Sequence, residues 1–398
     1  MTSLTPREIA SLYLHRSEGE VDRVLVPQIE HRLFLIDKWQ IKPGEKVLEI
    51  GCGQGDCTIT LAAALGENGH VTAVDPAPLD YGAPYTLGQS QDHLKASTLG
   101  SRITFVKADP TEFIRETKED FTTAVLTHCI WYFASPSVLA EMLQALSTRV
   151  QRICIAEYNL TASDPRGVPH LISALTQATI ESRDPTSTAN IRTVLSPDAI
   201  NELAIKAGLT LESRLAFTPN EGMLDGGWEV DAALDPGFLG RIHSLLGNDE
   251  REKAVAIAMR DSIVISKAAL TEKGQKVKTM DVCALAYTTK KQSTPRAIST
   301  WVDAELDKEL DDDAPFEARF FRSSQALTAG LLVMRQMEDL KQSDAAIEAI
   351  QRSTELMDEW ATVFRSQFGV EPKARSISAM NPQGTIPKRR NAAKQTPT

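Results

Sequence analysis

The stretch Val47-Leu48-Glu49-Ile50-Gly51-Cys52-Gly53-Gln54-Gly55 decides the fold. An apolar run of strand length meets three glycines at alternate positions. Thr58-Ile59-Thr60-Leu61-Ala62-Ala63-Ala64-Leu65 follows with helical propensity and stops at Gly66. Upstream, Pro43-Gly44 breaks a helical pattern; downstream, Val71-Thr72-Ala73-Val74-Asp75 reads as a second strand ending in an acid. Strand, glycine turn, helix and strand make a βαβ unit, whose parallel strands call for helices on both faces of a sheet. Glycines at such a turn let the backbone approach a ligand where a Cβ would collide, at the N-terminus of a helix.

The alternation continues outward. Ile103-Thr104-Phe105-Val106, Thr123-Ala124-Val125-Leu126 and Ile153-Cys154-Ile155-Ala156 read as the third to fifth strands, with a helix from Val138 to Leu146. Apolar positions such as Ile9, Leu12, Ile29 and Leu33 predict helices over residues 7–40. Further helices are expected from Pro169 to Glu181 and from Ser196-Pro197, an N-cap followed by an N1 proline, to Gly208. Leu209 to Phe217 reads as a sixth strand and Val277 to Tyr287 as a seventh, with a helical insert between them at 221–270. The expectation is an α/β fold with a doubly wound, seven-stranded, mostly parallel sheet. Residues 1–290 form this domain and 291–371 an α-helical extension. Residues 372–398, basic and rich in Pro, Ser, Asn and Gln, read as a disordered tail.

The glycine spacing narrows the cofactor. A dinucleotide fingerprint is Gly-x-Gly-x-x-Gly, whereas here the spacing is Gly-x-Gly-x-Gly and position 56 is Asp. That acid suits a cofactor bearing a sulfonium and an amino group better than a pyrophosphate. Glu49 to Gly55 resembles motif I of the class I S-adenosylmethionine-dependent methyltransferases. Asp75 resembles the acid that takes both ribose hydroxyls in that family. Lys107-Ala108-Asp109-Pro110 resembles the segment whose acid contacts the adenine amino group, and Thr127 to Phe133 lies where the family's fourth strand opens onto the substrate. The resemblance runs over about residues 20–290. It implies S-adenosylmethionine as cofactor, held by Glu49, Gly51, Cys52, Gly53, Gly55, Asp75, Pro76, Ala108, Asp109, Pro110 and Thr127.

The acceptor side is less determined. His128 and Glu157, at the ends of the fourth and fifth strands, are the candidate bases, since an imidazole of near-neutral pKa suits proton removal from a hydroxyl or ammonium group. A structural histidine is the competing reading. Trp131 and Tyr132, beside His128, and Tyr13 and His31, on the N-terminal helices, are candidate substrate contacts; core packing or a solvated helix face are the alternatives. Arg32 is a further candidate at the methionine end of the cofactor.

Motifs for methylating amides or base amines, the double-glutamate loop of arginine methyltransferases and the metal acids of catechol-type enzymes are not recognised in the sequence, so no metal is expected. The remaining resemblance is to small-molecule methyltransferases of fungal secondary metabolism, acting on oxygen or nitrogen. Two rivals stand beside it: a cofactor-assisted cyclisation without methyl transfer, and a non-catalytic partner subunit.

The net charge of −10 argues against tracking a nucleic-acid backbone. No apolar run approaches a membrane span of about 20 residues. Five scattered cysteines show neither zinc spacing nor a paired framework, which fits a reducing cytoplasm. Apolar residues from Phe316 to Phe364 could pack on the catalytic domain, join copies into a homo-oligomer or bind another protein.

Overall fold

The computed structural model describes residues 4–247 and 249–289. The expected helical extension, its oligomer interface and the basic tail lie outside these residues. The chain opens with α1 (Pro6–Ser11), capped by Thr5 in a reciprocal box with Glu8, then the short α2 (Glu18–Glu20). A π-helical turn, Val21–Leu25, leads into α3 (Val26–Lys38), whose second residue is Pro27. Proline has no N–H to give to an α-helical partner, and widening the preceding turn accommodates it.

From there strands and helices alternate: β1 (Lys46–Ile50), α4 (Asp56–Leu65), β2 (His70–Asp75), α5 (Leu87–Ala96), β3 (Ile103–Lys107), α6 (Pro110–Glu116), β4 (Phe121–Thr127), α7 (Pro136–Leu146) and β5 (Val150–Tyr158). Helices α8 (Val168–Glu181) and α9 (Pro197–Lys206) precede β6 (Thr210–Phe217). The insert follows as α10 (Asp225–Leu234), α11 (Pro236–Leu245) and α12 (Glu250–Glu272), before β7 (Val282–Thr288).

The strands form one sheet in the order β3-β2-β1-β4-β5-β7-β6. Ladders among β1 to β5 are parallel, while β7 runs antiparallel between β5 and β6. Alternation along each strand sorts the core into two. Val47, Val71, Val125, Cys154 and Ala286 pack on one face; Leu48, Val74, Leu126, Ile155 and Tyr287 pack on the other. A two-faced core of this kind is what makes the strands read as continuous apolar runs. Chain order reverses between β1 and β4. In open α/β sheets the ligand crevice lies outside the carboxyl ends of the strands at such a reversal.

Most boundaries fall within three residues of the sequence reading, and the largest difference is at the seventh strand. The seventh strand starts at Val282 rather than Val277. Residues before it spend their hydrogen bonds elsewhere: Lys278 N–H donates to Arg166 O, Thr279 Oγ1 to Met223 O, and Met280 N–H to His170 Nδ1. The buried carboxylate of Asp281 accepts from Thr161 Oγ1, Thr218 Oγ1 and both Ser163 N–H and Oγ. This segment ties the insert and the β5 exit together instead of extending the ladder.

Candidate active site

The glycine turn occupies the reversal. Gly51, Gly53 and Gly55 have φ of 70°, 52° and 94°, the left-handed region that costs a residue with a Cβ. Gly51 N–H donates to Val74 O, and a Cβ there would lie 2.6 Å from Cys129 Cβ. At Gly53 the direction a Cβ would take is open, with nothing within 4 Å. Asp75 faces this turn: its Oδ2 accepts from Gly53 N–H at 2.8 Å and its Oδ1 from Ala77 N–H at 2.9 Å, across Pro76. Gln91 Nε2 donates to Gly53 O, and Gln54 Nε2 to Tyr85 O.

Glu49 ends buried beneath the turn, where Thr58 Oγ1 donates to its Oε2. Burial pushes its pKa up to about 8, with the Thr58 hydrogen bond opposing. Asp56, the acid that distinguished this turn from a dinucleotide fingerprint, is paired with Arg32 from α3 at 2.7 Å. Arg32 is itself buried, and its Nε and Nη1 have no partner. Tyr13 lies buried over the turn with its hydroxyl 3.3 Å from Gln54 Oε1. Asp109 caps α6 through Oδ1, which accepts from Thr111 and Glu112 N–H; Pro110 takes the first helical position and Ala108 N–H reaches Asp75 O. Cys52 and Cys57 are buried thiols, and Cys57 Sγ lies 3.6 Å from Thr127 Oγ1.

This turn offers an open approach at Gly53, a carboxylate beside it, and buried guanidinium nitrogens with nothing to bind. These are the features a nucleoside with an amino-acid tail requires. Among the described residues no group of three or more His, Cys, Asp or Glu could hold a metal ion.

The second half of the site begins one residue beyond Thr127. His128 adopts φ of 52°, unusual for a residue other than glycine, and its N–H donates to Ala156 O. Its Nε2 meets His31 Nε2 at 3.0 Å and the rings stack, so one nitrogen donates and the other accepts. Burial lowers the His31 pKa well below the usual imidazole value, helped by Arg32 and His128. On its other side His128 Nδ1 has no hydrogen-bond partner and lies 3.6 Å from Glu157 Oε1. Glu157 is buried, its Oε1 accepting from Tyr158 N–H and its Oε2 from Ile130 N–H. Around this pair stand Tyr158, Trp131 and His170. Trp131 is buried, whereas Tyr132 is half exposed.

The structure thus gathers Tyr13, Glu49, Gly51, Cys52, Gly53, Gly55 and Asp75 at one turn. His31, His128, Trp131 and Glu157 gather beside it. Sequence reading passed over Tyr158, His170, Gln54 and Gln91. His170 had one visible signal: it shares the buried face of α8 with Ser173, Ala174 and Thr176, an imidazole on a face that faces inward.

Residues 47–149 match the family model described as a methyltransferase domain. The chain is 28% identical over 294 residues to methyltransferase phomM of Diaporthe leptostromiformis, covering 58% of this chain and 76% of that one. It is likewise 28% identical over 322 residues to methyltransferase phomM′ of the same organism, covering 65% and 83%. Among solved structures, a cyclopropane-fatty-acyl-phospholipid synthase-like protein from Lactobacillus casei superposes with a TM-score of 0.58 at 28% identity, covering 71% of this chain and 98% of the other.

Proposed function

We propose that this chain is a class I S-adenosylmethionine-dependent methyltransferase that methylates an oxygen or nitrogen atom of a small molecule of fungal secondary-metabolite type, a reading supported by its fold, its glycine motif and its similarity to fungal methyltransferases. The cofactor supplies an electrophilic methyl group already activated on sulfur, so most of the acceleration comes from proximity and orientation. In this reading Gly51 to Gly55 carry the cofactor past the backbone, Asp75 takes its ribose, Asp109 its adenine, and Arg32 its carboxylate.

The single observation that carries the reading is the juxtaposition of the two halves. Gly51 abuts Cys129, so the turn and the imidazole pair are neighbours, and His128 stands at the carboxyl end of β4 where the crevice opens. His128 accepts the proton that the attacking atom loses. For this step His128 Nε2 carries the hydrogen shared with His31, and the incoming proton goes to Nδ1, with Glu157 Oε1 3.6 Å away as the facing counter-charge. Glu157, with both oxygens already on main-chain amides, serves as this counter-charge rather than as the base. His31 holds the far nitrogen of His128 and keeps the ring oriented.

Incubating the full chain with methyl-labelled cofactor and candidate acceptors tests the reading. Label appearing on a small molecule is the expected result. Tight binding of S-adenosylhomocysteine with product formed but no label on it would favour cofactor-assisted cyclisation instead. Comparing metabolites with and without the gene would supply the acceptors to try.

A further inference from the structure

Two buried donors beside the imidazole pair have nothing to give their protons to. Tyr158 is the hub of a ring cluster, with centroids 4.7 Å from His128, 4.6 Å from Trp131 and 4.9 Å from His170. Trp131 and His170 also meet each other, at 6.2 Å and nearly edge-on. The tautomer of His170 follows from its neighbours. Met280 N–H donates to Nδ1 at 3.1 Å, so that nitrogen carries a lone pair. Burial pushes the pKa of His170 down to about 4, so the ring is neutral near pH 7. A neutral imidazole that accepts at Nδ1 carries its proton on Nε2. That Nε2 is buried and without a partner. The indole Nε1 of Trp131 can only donate, and it too is buried and without a partner.

Buried polar groups left unpaired are uncommon, because their lost hydration is not replaced. Here two lie on neighbouring rings, both next to Tyr158 and one ring from His128. Resting on the active-site reading above, we propose that Trp131 Nε1–H and His170 Nε2–H form a subsite for a carbonyl-type oxygen of the methyl acceptor. Two donors with no acceptor between them select an oxygen bearing lone pairs and reject a hydroxyl that must itself donate. Asp225, from the insert, acts electrostatically on both His170 and Tyr158. Glu157, held by the Ile130 and Tyr158 amides, and Glu229 add to its negative charge around Tyr158 against the buried cation Arg32, a balance that favours a neutral amide, ester or ketone oxygen over a carboxylate. The subsite would therefore fix the acceptor by a carbonyl while presenting a nearby heteroatom to His128.

The test needs no knowledge of the acceptor. The ¹⁵N-labelled full chain, saturated with S-adenosylhomocysteine, is titrated with acetamide and, separately, with acetate. Its Trp131 indole resonance is assigned by its disappearance in Trp131→Phe. The expected result is a saturable downfield shift of that resonance with acetamide, and a weaker or absent one with acetate. His170→Asn should weaken acetamide binding about fivefold, the size of one neutral hydrogen bond. Stronger binding of acetate would keep the donor pair and reassign the oxygen to a carboxylate. Drift without saturation for both probes would overturn the proposal and leave the two N–H groups as contacts to the Tyr158 ring. The wild-type titration alone is decisive if His170→Asn fails to hold the cofactor product. Probe binding involves no methyl transfer, so its failure is separable from failure of the proposed activity.

Discussion

The two halves of the site are built from different materials. The glycine turn is one short run of chain, Glu49 to Asp56, closed by Asp75; its shape comes from backbone torsions and main-chain donors. The acceptor half is assembled from side chains on four segments: His31 on α3, His128 and Trp131 after β4, Glu157 and Tyr158 on β5, and His170 on α8. A site made of backbone forces particular residue types into fixed spacing. A site made of side chains needs only that distant residues converge, and nothing in their spacing records it.

The largest expected effect tests the backbone half. Gly53→Arg fills the one open approach on the turn and adds a Cβ at φ of 52°. The strain of about 1–2 kcal/mol is survivable for a domain of this size. Calorimetry should nevertheless show S-adenosylhomocysteine binding weakened at least about a thousandfold, about 4 kcal/mol. Wild-type affinity in that variant would remove the turn from the cofactor site. The matching test of the side-chain half is His128→Asn, because asparagine tolerates the left-handed backbone found there. Turnover should fall about a hundredfold or more while affinity for S-adenosylhomocysteine holds. Undiminished turnover would mean that orientation alone carries the reaction and that no base is needed.

Legibility followed the same division. The strands β1 to β5 could be placed from apolar runs because both faces of the sheet are covered, and the glycine turn from its spacing. The start of β7 was read five residues early, since Val277 to Asp281 has strand-like composition. Only the structure shows that Thr279, Met280 and Asp281 are bound to the insert, to His170 and to the β5 exit. Asp56 was legible as an anomaly, but its partner Arg32 lies on another helix and no spacing rule joins them. The His31–His128 contact spans 97 residues, and His170 is brought in by α8 alone.

A smaller effect separates the turn's shape from its charge. Glu49 is an acid whose folded pKa, about 8, lies above its ordinary value of 4.5. Between those values the folded chain holds a proton that the unfolded chain has released. Stability from this group is therefore full at acid pH and declines as pH rises through 8. The slope approaches about 1.4 kcal/mol per pH unit at most. Thermal melts of wild type against Glu49→Gln, from pH 5 to 8.5, should show the gap closing and then reversing in favour of the glutamine. Parallel curves would place Glu49 among ordinary ionised carboxylates.

The smallest effect falls on the one residue that belongs to both halves. Arg32 pairs with Asp56 at the start of α4, and its charge also acts on His31 and Tyr158. Arg32→Met keeps most of the side-chain volume and removes the cation. Breaking a fully buried pair costs about 3–5 kcal/mol, but Asp56 is one-third exposed and sits at a helix N-terminus that also stabilises it. A loss of about 1 kcal/mol is therefore expected, read from a denaturant midpoint at unchanged slope. The informative readout is the imidazole. Arg32 is one of the influences holding the His31 pKa down, so removing it should raise that value in an NMR titration. An unmoved His31 would show that burial and His128 set its charge without Arg32, and that the glycine turn and the imidazole pair touch without being electrically coupled.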